Sequence, residues 1–147
     1  MALIDHKKAR FDYEIMDKYE AGIELLGFEV KSLMEKRGSL EGAFVIIRGG
    51  EAFLMGANIQ PYQVKNTPES YDPYRTRRLL LKKSEIDQLA GKESANGLTI
   101  VPLSVYNKGS KIKVEIAVAK KKKKSDKRET IKKRETDREI RREMKEK

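Results

Sequence analysis

The sequence predicts a mainly β protein, a small antiparallel β-barrel with two or three short helices and a basic C-terminal tail that is disordered on its own. Three observations predict it. Apolar residues alternate in short runs joined by glycine turns, without the helical crossovers that parallel strands need. The apolar material lies in residues 1–119, where 18 Lys or Arg face 16 Asp or Glu. Residues 120–147 instead hold 15 basic against 7 acidic residues and only Ile131, Ile140 and Met144 as apolar side chains. A segment that buries so little cannot offset its ordering entropy. The division expected is therefore a folded domain over 1–119 and a tail over 120–147.

Taken in order, Tyr13 to Leu26 reads as one or two strands, broken near Glu20-Ala21-Gly22. Phe28 to Arg37 lies between Gly27 and Gly38 with Val30, Leu33 and Met34 at helical spacing, which predicts a helix of two to three turns. Ala43 to Arg48 and Glu51 to Ile59 flank Gly49-Gly50, whose tolerance of positive φ predicts a tight hairpin. Gln60 to Tyr74 carries Pro61, Pro68 and Pro73 and reads as a long loop. Arg77 to Lys82 is a strand. Ser84 is expected to cap a helix over Glu85 to Ala90 that stops at Gly91. Leu98 to Tyr106 and Lys111 to Ala119 form a second hairpin, with Ile112, Val114, Ile116 and Val118 on one face.

With no cysteine, a single histidine and a net charge of +10, thiol catalysis, disulfides and cysteine metal sites are excluded. Neither a signal-peptide core nor a membrane-spanning run is found, so a soluble cytoplasmic protein is expected. His6, beside Asp5, Lys7 and Lys8, reads as solvated or RNA-facing rather than as a ligand. Glu20, Glu29 and Glu51 fall on different elements and read as surface charge or turn caps. No enzyme activity, cofactor or metal is expected.

The remaining signal is for binding. Basic residues cluster at Lys7, Lys8 and Arg10, at Arg75, Arg77 and Arg78, at Lys82 and Lys83, and at Lys108, Lys111 and Lys113. Tyr13, Tyr62, Tyr71, Tyr74 and Tyr106 lie near several of them. Guanidinium groups fork onto phosphates and aromatic rings stack on unpaired bases, so the pairing suits RNA as well as an ordinary solvated face. In the tail, Arg134, Arg138, Arg141, Arg142 and Lys145 fall within a sector of about 100° on a helical projection. An isolated helix there is marginal, and a phosphate-lined groove would stabilise it.

Several blocks in register resemble the bacterial SsrA-binding protein family, small protein B. They are Glu20-Ala21-Gly22-Ile23, Gly27-Phe28-Glu29-Val30-Lys31-Ser32-Leu33, Gly50-Glu51-Ala52-Phe53-Leu54, Asn58-Ile59-Gln60-Pro61-Tyr62, Arg75-Thr76-Arg77-Arg78-Leu79-Leu80-Leu81, Gly97-Leu98-Thr99-Ile100-Val101-Pro102-Leu103 and Asp126-Lys127-Arg128-Glu129. The resemblance implies a barrel of the oligonucleotide-binding type. It implies an adaptor of trans-translation that binds the tRNA-like domain of transfer-messenger RNA and delivers it to stalled ribosomes. The tail would probe the empty messenger channel as a helix. Elongation factor Tu and alanyl-tRNA synthetase would be met through the shared RNA, with the protein a monomer.

Glu20, Leu80 and Lys113 fall on family positions tied to gripping that RNA, Glu20 either orienting a basic neighbour or accepting from a base or sugar hydroxyl. The RNA-binding set expected is Glu20, Lys31, Arg75, Arg77, Arg78, Leu80, Lys111 and Lys113. The ribosome-binding set is Lys120, Lys122, Lys123, Asp126, Lys127, Arg128, Arg134, Arg138 and Arg142. The chain departs from the family pattern at Lys121, where glycine is usual, and at Ser125, where an aromatic residue or histidine is frequent.

Overall fold

The computed structural model describes residues 2–122 apart from 64, 66 and 96, and the elements below lie within that span. The chain runs β1 (Ala2–Asp5), α1 (Lys7–Asp12), β2 (Tyr13–Ile23), α2 (Gly27–Met34), β3 (Gly38–Ser39), β4 (Phe44–Arg48), β5 (Glu51–Met55) and β6 (Asn58–Ile59). It continues through β7 (Arg77–Leu80), α3 (Lys83–Glu93), β8 (Leu98–Lys108) and β9 (Lys111–Lys121). All strand pairs are antiparallel. The pairings β8–β4–β5–β7–β2–β9 return to β8 and close a ring of strands. Closure between β4 and β8 is made at Val45 opposite Ile100. β1 is added outside the ring along β8, and β3 with β6 forms a separate two-stranded sheet.

Both predicted hairpins form. Gly49 and Gly50 have φ of 60° and 75°, the doubly positive conformation of a primed turn, and Gly109 at φ 62° turns the second. The main core fills the ring with Ala21, Val45, Leu54, Leu79, Ile100, Val114, Ile116 and Val118, and Leu89 of α3 and Leu33 of α2 join it. The other face of β9 is not uniformly solvated. Ala117 and Ala119 pack with Val101 and Leu103 beneath Ala9 of α1 in a second cluster.

Several boundaries differ from the sequence reading. β2 is continuous through Glu20-Ala21-Gly22, and its irregularity is a bulge between Ile15 and Lys18. The small residues Ala21 and Gly22 are buried where the strand is paired on both sides, by β7 and β9, so smallness here marks close packing rather than a break. α3 begins at Lys83, and Ser84 makes no cap. The Lys82 N–H is instead taken by the Glu85 carboxylate at 3.2 Å. Gly91 lies inside α3, which runs on to Glu93 because that carboxylate is anchored in β4. It accepts the Ile47 N–H at 2.7 Å and the Arg48 guanidinium at 2.7 Å. α2 ends at Met34, short of Arg37.

The N-terminus is also more ordered than expected. Ala2–Asp5 pairs with β8, and α1 covers the second cluster. His6 is neither solvated nor RNA-facing. It is 7% exposed, its N–H bonds the Leu103 carbonyl and its Nδ1 donates to the Pro102 carbonyl at 2.8 Å.

Candidate nucleic-acid interface

Register sets the candidate face. Leu80 of β7 lies opposite Gly22 of β2, Gly22 opposite Lys113 of β9, and Lys113 opposite Tyr106 of β8. Residues directly opposite share a face of a sheet, as do residues two apart along a strand. The row therefore extends to Glu20, Lys108, Lys111, Glu115 and Arg78. Their inward-facing neighbours Ala21, Leu79, Val114 and Val105 are core residues, which puts the row on the outer surface of the ring.

Gly22 gives the row its shape. A Cβ there would stand 3.1 Å from the Leu80 Cβ, so the bare backbone lets Leu80 lie close. Leu80 is nonetheless 46% exposed, an aliphatic surface across Gly22 from Lys113. Glu20 stands next to it. Its Oε2 accepts the Tyr106 hydroxyl at 2.6 Å, and its Oε1 accepts the Lys108 ammonium at 3.2 Å. The Tyr106 hydrogen bond, then the Lys108 one, hold the Glu20 carboxyl below its ordinary pKa despite partial desolvation. Burial and the adjacent Glu20 carboxylate push the Tyr106 phenol up.

The structure thus brings together Glu20, Leu80, Lys111 and Lys113 from the expected set. Arg78 shares the face, but its guanidinium is held by Glu24 and Glu51, each at 3.1 Å. Arg75 is half-withdrawn and paired with Glu29. It lines a shallow groove with Leu26, Phe53 and Arg78. Lys31 stands exposed on α2 over the Tyr62 ring, 5.7 Å from its centroid, in a pocket that none of the row residues line.

Arg77 must be removed from the RNA-contacting set, because it is fully buried. Its Nε and Nη2 donate to the Glu29 carboxylate at 2.8 and 2.6 Å, and further bonds reach the carbonyls of Ala57, Pro73 and Arg75. Glu29 is correspondingly no surface charge. Fully buried, it also accepts the Leu26 N–H at 2.8 Å, the Tyr71 hydroxyl at 2.9 Å and the Arg75 guanidinium. Burial works to raise its pKa, but hydrogen bonds from Arg75, the Leu26 N–H and Arg77 outweigh it and hold the carboxyl below its ordinary value. Burial and Glu29 push the Tyr71 phenol up to about 12. This cluster ties α2 to the long 60–76 loop and to the start of β7, and Phe28 meets the Tyr71 ring edge-on at 4.7 Å.

Sequence reasoning missed the cluster, although one signal was present. Arg77 alternates with Leu79, and a strand that buries Leu79 must also turn Arg77 inward. In the sequence Tyr106 and Lys108 read only as members of aromatic and basic clusters, because their hold on Glu20 depends on register.

Of the ribosome-binding set, Lys120 lies in β9, opposite Leu98 and Glu14, and the Lys122 N–H bonds the Asp12 carbonyl. Lys123, Asp126, Lys127, Arg128, Arg134, Arg138 and Arg142 lie outside the described residues, as does the helical projection of the tail.

Fold and face together define a small β-ring protein with an open, mixed-charge candidate face on its strands. Residues 3–146 match the SmpB protein family. Among similar proteins are the SsrA-binding proteins of Gloeothece citriformis, 48% identical over 97% of this chain and 92% of that one, and of Gloeobacter violaceus, 49% identical over 97% and 93%. A solved structure described as "tmRNA-SmpB: a journey to the center of the bacterial ribosome" superposes with a TM-score of 0.69 at 41% identity, covering 86% of this chain and 92% of that one. The chain belongs to the SmpB family of SsrA-binding proteins.

Proposed function

We infer that this protein is a noncatalytic RNA-binding adaptor of trans-translation. It binds the tRNA-like domain of transfer-messenger RNA and brings that RNA to stalled ribosomes. The observation that carries the reading is family membership along nearly the whole chain, and the outer face of the ring supplies a physical means. Lys113 offers a phosphate contact, Leu80 an apolar surface for an unpaired base, and Glu20 an acceptor. Lys111 adds positive charge in the row, Lys31 would meet the RNA from a separate patch on α2, and Arg75 and Arg78 would do so through guanidiniums shared with carboxylates.

Division of labour completes the proposal. The folded body chooses the RNA, and the basic tail takes helical form in the vacant messenger channel of a cytoplasmic ribosome, with Lys123, Asp126, Lys127, Arg128, Arg134, Arg138 and Arg142 against ribosomal RNA. Elongation factor Tu and alanyl-tRNA synthetase would join through the same RNA, and the protein acts as a monomer.

Filter binding tests the first half. The full chain should prefer the tRNA-like domain over unrelated RNA of equal length, and Lys113→Gln should weaken that complex by about 1–3 kcal/mol. Deleting 123–147, which leaves every described strand intact, should spare the complex and abolish rescue of stalled ribosomes. Equal affinity for all RNAs, or loss of both properties on deletion, overturns the reading.

A further inference from the structure

A carboxylate on a surface that meets a polyanion needs an explanation. Glu20 is repelled by phosphate, yet it stands in the middle of the open face, and its geometry is tightly set. Tyr106 reaches it from β8 with a 2.6 Å hydrogen bond, and Lys108, two residues on, reaches the other oxygen at 3.2 Å. Both donors come from the far side of β9, two strands away from Glu20. An ionised carboxylate offers about four acceptor positions over its two oxygens, so lone pairs remain after these bonds are made.

We propose that Tyr106 and Lys108 are positioning residues for RNA recognition, fixing Glu20 as an acceptor for the amino or imino edge of one unpaired base whose face rests on Leu80. The inference rests on the reading that this face binds RNA, and it adds the ligand chemistry of the site and two residues that set it. Neutral N–H donors are the RNA groups a carboxylate attracts at short range without meeting phosphate charge. Leu80, 46% exposed and lying over Gly22 on the strand that carries Glu20, gives the base an apolar seat. Lys113, opposite Gly22 on the next strand, would supply the ammonium for the phosphate of the same nucleotide. Three chemically different parts of a nucleotide thus meet three different side chains, an arrangement that discriminates among RNAs as bare positive charge cannot.

The test uses the full-length protein and the tRNA-like domain of transfer-messenger RNA. Tyr106→Phe keeps the ring and removes one hydrogen bond to a charged acceptor, so affinity should fall roughly five- to tenfold. In a Glu20→Gln background the same change should matter less than about twofold, because the positioned charge is already gone. Lys108→Met should behave alike, and both variants should unfold at the wild-type temperature. Carbodiimide and glyoxal probing of base edges should show a protection in the wild-type complex that Tyr106→Phe and Glu20→Gln lose at the same nucleotide.

Acidification adds a readout that a purely structural role would not move. The charged and titratable groups facing Glu20 are Tyr106 and Lys108 from β8 and Lys113 and Glu115 from β9. Removing the Tyr106 hydroxyl should shift the acid-side loss of RNA affinity to higher pH. Equal losses in wild-type and Glu20→Gln backgrounds, or protections confined to the ribose-phosphate backbone, would overturn the inference while leaving RNA binding intact. A wild-type protein that does not select the tRNA-like domain would instead defeat the functional reading beneath it.

Discussion

Glu29→Gln is the sharpest probe of what holds the fold together. Glutamine keeps the volume and removes the charge, leaving Arg77, with no exposed surface, facing an amide that offers one acceptor oxygen where the carboxylate offered two. Breaking a buried ion pair on one side costs about 3–5 kcal/mol. Arg75→Met is the control: that side chain is 29% exposed, and its loss leaves Glu29 paired with Arg77 and bonded by Leu26 and Tyr71. The control should cost about 1.5 kcal/mol. In thermal unfolding followed by circular dichroism, a folded body of this size should lose roughly 10–20 °C for Glu29→Gln and a third of that for Arg75→Met. Acid adds a second signature. Glu29 is depressed below its ordinary 4.5 by its hydrogen bonds, so its stabilisation is complete above that pH and is lost as pH falls through the folded-state value. Wild-type stability should therefore drop more steeply below pH 4.5 than that of Glu29→Gln. Equal costs for the two variants, or parallel acid limbs, would refute the assignment of Glu29 as the pivot of this cluster.

Two further outcomes follow from the packing. Gly22→Ala should leave the unfolding temperature within a few degrees but displace Leu80, whose Cβ lies 3.1 Å from the added methyl, and lower affinity for the tRNA-like domain roughly threefold or more in filter binding. His6→Ala should do the reverse, because it strands the Pro102 carbonyl and uncovers the packing under α1. It should cost about 1–3 kcal/mol in urea unfolding with RNA affinity unchanged.

How far the sequence can be read depends on the range of the forces involved. The hairpins were legible because Gly49-Gly50 and the turn at Gly109 act locally. The antiparallel class was legible because hairpins exclude parallel neighbours, and the ring of strands bears it out. Gly91 misled because a distant contact, Glu93 on the Ile47 N–H, outweighs local helix propensity, and Ser84 misled because the helix starts one residue earlier, where the Glu85 carboxylate takes the Lys82 N–H. His6 misled because nothing within its own stretch announces β8 as a partner. At the candidate face, Glu20, Leu80 and Lys113 came from family resemblance, and their adjacency required the β7–β2–β9 register. Tyr106 entered the site through the same register, which no local pattern encodes. Arg77 shows the opposite case, in which alternation with Leu79 carried the answer and the guanidinium's usual place on surfaces hid it.

The distribution of charge then acquires a mechanical reading. Within the body, every arginine and some of the lysines face a carboxylate, among them Arg75 and Arg77 with Glu29, Arg78 with Glu24 and Glu51, Lys92 with Asp17, Arg48 with Glu93, and Lys108 with Glu20. Such pairing cancels the long-range field and leaves short-range complementarity to decide what docks on the ring. Lys111 and Lys113 stand on the open face without an ion pair among the described residues. The surplus of charge resides in 120–147, where 15 basic residues outnumber 7 acidic ones. Affinity that derives from counterion release is strong, indifferent to sequence and erased by salt. A protein that must select one RNA and then enter a machine built of RNA gains by keeping that term away from the selecting face. On the division of labour proposed above, the body rejects wrong RNAs on shape and hydrogen bonding, and the tail grips phosphate wherever the selected RNA has carried it.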